Sequence, residues 1–121
     1  MILADTSVWV DHFRSGNADL FRQLSKSNIL IHPFVVAELA MGSLPDRTRT
    51  LATLDRLPHA QVAQLGEVRK MVEYRGLYSR GIGLTDAHLI AAVLLTKHAT
   101  LWTNDKRLLR VAEDLGVNAV L

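Results

Sequence analysis

Three short apolar runs, Ile2-Leu3-Ala4, Ile29-Leu30-Ile31 and Thr100-Leu101-Trp102-Thr103, constrain this chain more than anything else in it. Each is too short for an amphipathic helix, and stretches of helical period separate them. Strands without alternating polar residues belong inside a parallel sheet with helices over both faces. The pattern therefore predicts an α/β fold: a three-layer α/β/α sandwich with a mainly parallel, four- to five-stranded sheet. Residues 117–121 are the expected last strand, and residues 60–63 are a strand or only a connector.

Helices are expected over residues 7–14, 18–26, 34–42, 47–57, 66–78, 84–97 and 106–115. Pro33 suits a first helical turn, where its missing N–H costs nothing. Gly42 and Gly116 are the expected stops. Residues 79–83, Ser-Arg-Gly-Ile-Gly, form the loop richest in flexible positions. No repeat or linker interrupts the chain, so its 121 residues are taken as a single domain, 1–121.

Composition narrows the chemistry. Cysteine is absent, which removes disulfides, thiolate metal sites and a cysteine nucleophile. The N-terminus lacks a basic segment followed by a long apolar one, so no secretory signal is expected. The longest apolar stretch, residues 89–95, falls short of the ~20 residues that span a membrane. A soluble, cytoplasmic protein is the expectation. A formal charge of +2 and a pI near 9.3 permit nucleic-acid binding without demanding it.

Four acids stand in unusual places. Asp5 ends the first strand, Glu38 is the one ionisable group in an apolar helix, Asp86 opens a helix, and Asp105 follows a strand. Strand-to-helix handovers in a parallel sheet share one edge, where ligands collect. Each Asp also suits a helix start, through capping worth ~0.5–2 kcal/mol and the dipole worth ~0.3–1 kcal/mol. If the four converge, they raise one another's pKa unless a cation neutralises them. An all-oxygen set suits a hard ion, Mg²⁺ or Mn²⁺. Such a site supports metal-assisted hydrolysis of a phosphodiester.

Four segments carry a resemblance: Met1-Ile2-Leu3-Ala4-Asp5-Thr6-Ser7-Val8-Trp9-Val10, the helix with Glu38, Gly83-Leu84-Thr85-Asp86-Ala87-His88-Leu89-Ile90-Ala91, and Leu101-Trp102-Thr103-Asn104-Asp105-Lys106-Arg107-Leu108. In this order they resemble a PIN-domain ribonuclease of the VapC toxin type, over essentially the whole chain. The resemblance implies a metal-dependent endoribonuclease, the toxin of a toxin–antitoxin pair. It implies RNA as substrate, a cognate antitoxin as partner, and a homodimer. Asp5, Glu38 and Asp86 match the family's core acids and Asp105 its more variable fourth. Thr6 or Ser7 matches a hydroxyl that orients a metal-bound water or a neighbouring carboxylate.

Other residues have plainer readings. His88 lies about 200° around its helix from Asp86, an orientation that suits packing better than metal ligation. Trp9 and Trp102 sit in apolar runs and belong to the core. Arg75, Arg80, Lys106 and Arg107 are candidates for RNA phosphates or ordinary solvated charges. A receiver or aspartate-nucleophile phosphatase would need a second acid near Asp5, where Thr6 and Ser7 stand. A non-catalytic RNA- or protein-binding module of the same fold is the alternative.

Overall fold

The computed structural model describes residues 1–121. Three strands, β1 (Ile2–Ala4), β2 (Ile29–Leu30) and β3 (Thr100–Trp102), form one parallel sheet in the order β2-β1-β3. Around it stand α1 (Thr6–Ser15), α2 (Ala18–Ser25), α3 (Pro33–Ala40), α4 (Arg47–Asp55), α5 (Leu65–Arg75), α6 (Leu84–Leu95) and α7 (Lys106–Asp114). The α/β class and the parallel sheet agree with the sequence reading.

The strand number does not. Instead of a fourth and fifth strand, a single bridge extends the sheet at each edge, Ile31 to His59 and Leu101 to Asn118. Residues 117–121 are not a strand. Leu101 N–H donates to the Val117 carbonyl at 2.7 Å and Ala119 N–H donates to the Leu101 carbonyl at 2.8 Å, and pairing goes no further. Residues 60–63 are a connector.

Helix ends follow their caps. Asn17 accepts the Leu20 N–H at 3.0 Å and starts α2. His32 Nδ1 accepts the Phe34 N–H at 3.0 Å, with Pro33 next in the first turn of α3. Gly42 does not stop α3, which ends at Ala40 with Met41 as its right-handed cap. Gly76, at φ +64°, stops α5 at Arg75, short of the expected Tyr78. A left-handed residue at that position favours glycine, which has no Cβ to clash.

The main core joins 23 buried residues, among them Leu3, Ile29 and Leu101 from the strands and Leu89, Ile90 and Val93 from α6. Helix α6 is buried from Ala87 through Val93, as its small and aliphatic sequence predicts. The chain leaves β1 toward β2 on one side and later returns past it to β3 on the other. With right-handed crossovers, that reversal puts α1 and α6 on opposite faces. It also makes the carboxyl ends of β1 and β3 the switch point, where such sheets open a crevice.

Candidate active site

The register aligns Ala4 with Trp102, so Asp5 and Thr103 leave the sheet side by side. Asp5 N–H donates to the Trp102 carbonyl at 2.9 Å, the last rung of that ladder. The Asp5 side chain is buried and caps α1: Oδ1 accepts the N–H groups of Ser7 at 3.0 Å and Val8 at 3.4 Å. Capping does not account for the rest. Oδ1 also accepts the Ser7 hydroxyl at 2.5 Å, and Oδ2 accepts the Thr103 hydroxyl at 2.5 Å. A buried carboxylate needs such compensation, because burial without partners is costly.

Asp105 caps α7. Its Oδ1 accepts the N–H groups of Arg107 at 2.9 Å and Leu108 at 3.0 Å, and its own N–H donates to Thr103 Oγ1 at 3.0 Å. Thr103 thus joins two acids, donating to Asp5 and accepting from Asp105. Asp86, half-buried in the first turn of α6, accepts the Gly83 N–H on Oδ2 at 3.2 Å. Glu38 lies on the exposed side of α3, whose buried residues are Val35 and Leu39. Its Oε1 accepts the Thr6 hydroxyl at 3.1 Å. Glu38 Oε2, Asp86 Oδ1 and Asp105 Oδ2 have no protein partner.

The four acids share one electrostatic environment. Burial pushes the Asp86 carboxyl up, and the charges of Asp105, Asp5 and Glu38 push it further, against the opposing Gly83 hydrogen bond. Mutual repulsion of this kind is what a divalent cation relieves. The donors are all oxygens, the chemistry hard cations select. No three of them close on one point as a ready-made cage. Glu38 and Asp105 are exposed, and Glu38 borders a hollow of about 280 Å³, whereas a groove of about 960 Å³ along α5 reaches Gly83, Leu84 and Ala87 without touching any of the four acids. A shallow acidic edge suits a polymer better than an enclosed small molecule.

Other candidates fall outside this group. His88 is buried, with its ring centroid 4.4 Å from that of Phe34 and no partner for Nδ1. His32 is fully buried, with its ring centroid 5.3 Å from that of Phe34, and its Nε2 is also unpartnered. Burial, then the nearby His88 and His59, lower the His32 pKa from 6.5 to about 4. Trp9 is buried against Phe13, and Trp102 is half-buried. Arg80 pairs with Asp114 at 2.6 Å.

Two contributors escaped sequence reasoning. Thr103 becomes recognisable only when β3 is paired with β1, because nothing local marks it. Asn104 adds a backbone N–H that donates to Ser7 Oγ at 3.0 Å and so locks the hydroxyl that holds Asp5.

Comparison with known proteins adds independent findings. The family model described as PIN domain matches residues 2–114. The chain is 42% identical over 117 residues to ribonuclease VapC32 of Mycobacterium tuberculosis, covering 97% of this chain and 94% of that protein. The same figures hold for that ribonuclease in both strains compared, CDC 1551 / Oshkosh and ATCC 25618 / H37Rv.

Proposed function

The chain belongs to the PIN-domain family, alongside VapC-type ribonucleases, and from that premise we propose that it is a divalent-metal-dependent endoribonuclease, the toxin of a toxin–antitoxin pair. The observation that carries the reading is the shared field of four carboxylates, in which Asp105, Asp5 and Glu38 all act on Asp86. Asp5, Asp86, Glu38 and Asp105 are the residues that would hold the ion, with Mg²⁺ the first choice and Mn²⁺ the second. When bound, such an ion supplies the positive charge that attracts a phosphodiester and activates water.

The chain's own residues then have separate tasks. Asp5 is the fixed point, since four donors from Ser7, Val8 and Thr103 hold both its oxygens. Thr6 holds Glu38 through Oε1 and leaves Oε2 without a protein partner, to take the proton of the attacking water as the new P–O bond forms and the bond to the leaving ribose oxygen breaks, that oxygen gaining a proton from solvent. Asp86 and Asp105 each keep one oxygen bonded to backbone N–H and one without a protein partner. The expected partners are RNA, a cognate antitoxin and a second copy of the chain, in the cytoplasm. No helix is long and apolar enough to cross a membrane.

A second reading, a PIN-like module that binds RNA or protein without cutting, draws on the absence of a ready-made ligand cage. Cleavage of total RNA by the purified chain separates the two. Fragments are expected with Mg²⁺ or Mn²⁺, none with EDTA, and none from Asp86→Asn. Asp86→Asn is the cleaner variant, because Asp5→Asn also replaces an acceptor oxygen facing Thr103 or Ser7 with an amide. Cutting that survives both EDTA and Asp86→Asn would refute the metal-dependent reading.

A further inference from the structure

Helix α7 grips the loop that leads into α6 at two points. Near its end, Asp114 holds Arg80 at 2.6 Å. Near its start, the Arg107 side chain lies directly on Gly81. A Cβ placed on Gly81 would stand 2.6 Å from Arg107 Cδ and 2.9 Å from its Nη1, closer than real contacts allow. Gly81 also has φ +80°, the left-handed region. Conformation therefore favours glycine here, and a side chain at this position would have to push the flexible end of Arg107 aside. The same loop supplies the Gly83 N–H that fixes Asp86, and the Arg107 N–H is bound by Asp105. Arg107 thus reaches from one acid's cap to the loop that sets another.

Its charge has no partner. The chain's ion pairs are Arg22–Asp19, Arg49–Asp46 and Arg80–Asp114, and Arg107 is in none of them. Its backbone N–H, donating to Asp105 Oδ1 at 2.9 Å, sets the residue at the edge of the acidic cluster. A free guanidinium at the rim of a carboxylate site suits a phosphate next to the one being cut. We propose that Arg107 is a substrate-positioning residue, binding a phosphate of the RNA strand that neighbours the scissile one, with Gly81 conserving the space its side chain crosses. The proposal rests on the ribonuclease reading above.

The test measures binding of a labelled oligouridylate of about 12 nucleotides across a salt series, in an Asp86→Asn background that leaves the RNA uncut. Arg107→Gln keeps most of the side chain and removes the charge. It is expected to weaken binding about tenfold and to make the salt dependence shallower by about 0.7 in log–log slope, the share of one phosphate on a single strand. Arg107→Lys should recover part of the loss, as a point charge without the fork. Gly81→Ala should displace the guanidinium and resemble Arg107→Gln, and the two changes together should cost no more than one. Unchanged affinity and slope in Arg107→Gln would overturn the proposal. So would weaker binding at an unchanged slope, which marks a strap that only shapes the loop. If the parent binds no oligouridylate but the unsubstituted chain cuts total RNA with Mg²⁺ or Mn²⁺, the proposal alone fails; if it does neither, the ribonuclease reading fails with it.

Discussion

Replacing Thr103 with Val tests whether this hydroxyl, buried at the end of β3, holds the acidic edge together. Valine has nearly the same shape, so packing changes little while two hydrogen bonds disappear. The first runs from Thr103 Oγ1 to the buried Asp5 carboxylate at 2.5 Å, and a bond to a charged group contributes about 1.5–3 kcal/mol. The second accepts the Asp105 N–H at 3.0 Å. Asp105 is exposed, so water can replace that acceptor, and the loss there belongs at about 1 kcal/mol. Together Thr103→Val should cost roughly 2.5–4 kcal/mol, read by urea denaturation in EDTA. For a chain of 121 residues that lowers the thermal midpoint by roughly 10–16 °C. Thr103→Ser, which keeps the hydroxyl, should recover most of the loss. In a double-mutant cycle with Asp5→Asn, Thr103→Val should show coupling of about 1 kcal/mol or more. If Thr103→Val stays within about 0.5 kcal/mol of the parent, the hydroxyl does not bear on Asp5 in the way described.

Asp86→Asn should stabilise the metal-free protein at neutral pH. The folded carboxyl is raised above its usual 3.8, so ionising it costs stability as pH rises through the folded value. Thermal midpoints should therefore favour the variant at pH 7 and converge on the parent below about pH 4; a variant less stable at pH 7 contradicts the repulsion argument. Mg²⁺ should stabilise the parent more than Asp86→Asn, by up to about 2.7 kcal/mol at a hundred times its dissociation constant, and equal stabilisation would place the ion elsewhere. His32 carries the opposite sign. Its pKa is lowered from 6.5 to about 4, so stability is full above pH 6.5 and falls as pH drops toward 4, by about 3 kcal/mol. His32→Asn keeps an acceptor for the Phe34 N–H and should flatten denaturant-measured stability between those pH values, whatever its effect at pH 7.

What the sequence disclosed was what is local. Asp5 and Asp105 announce themselves because a strand end followed by a helix cap is a short-range pattern, and both are caps. Helix α6 is legible from its run of small and aliphatic residues. Glu38 stands out as the one ionisable group in an apolar helix, and it occupies that helix's exposed face, opposite the buried Val35 and Leu39. Gly76 was a stop signal in plain view, yet the apolar period of α5 runs past it to Tyr78. The last apolar residues, 117–121, have strand character, but Leu101 is the one residue of β3 that pairs with them. Thr103 stayed invisible because its importance depends on register across the sheet, which no local pattern encodes.

That long-range register also has a consequence for when the site exists. The bond from Thr103 to Asp5 spans 98 positions, and the one from Asn104 to Ser7 spans 97. Closing loops of that size is slow compared with forming the helices between. During synthesis, Asp5 is made 98 positions ahead of Thr103 and waits until β3 can dock beside β1 and bring Thr103 and Asp105 to it. A nascent chain stopped after α6 has three of the four acids but lacks Thr103, the donor to Asp5 Oδ2, and Asn104, which holds Ser7. The acidic edge is thus assembled as a closing event of folding, and a truncated product of this chain lacks it.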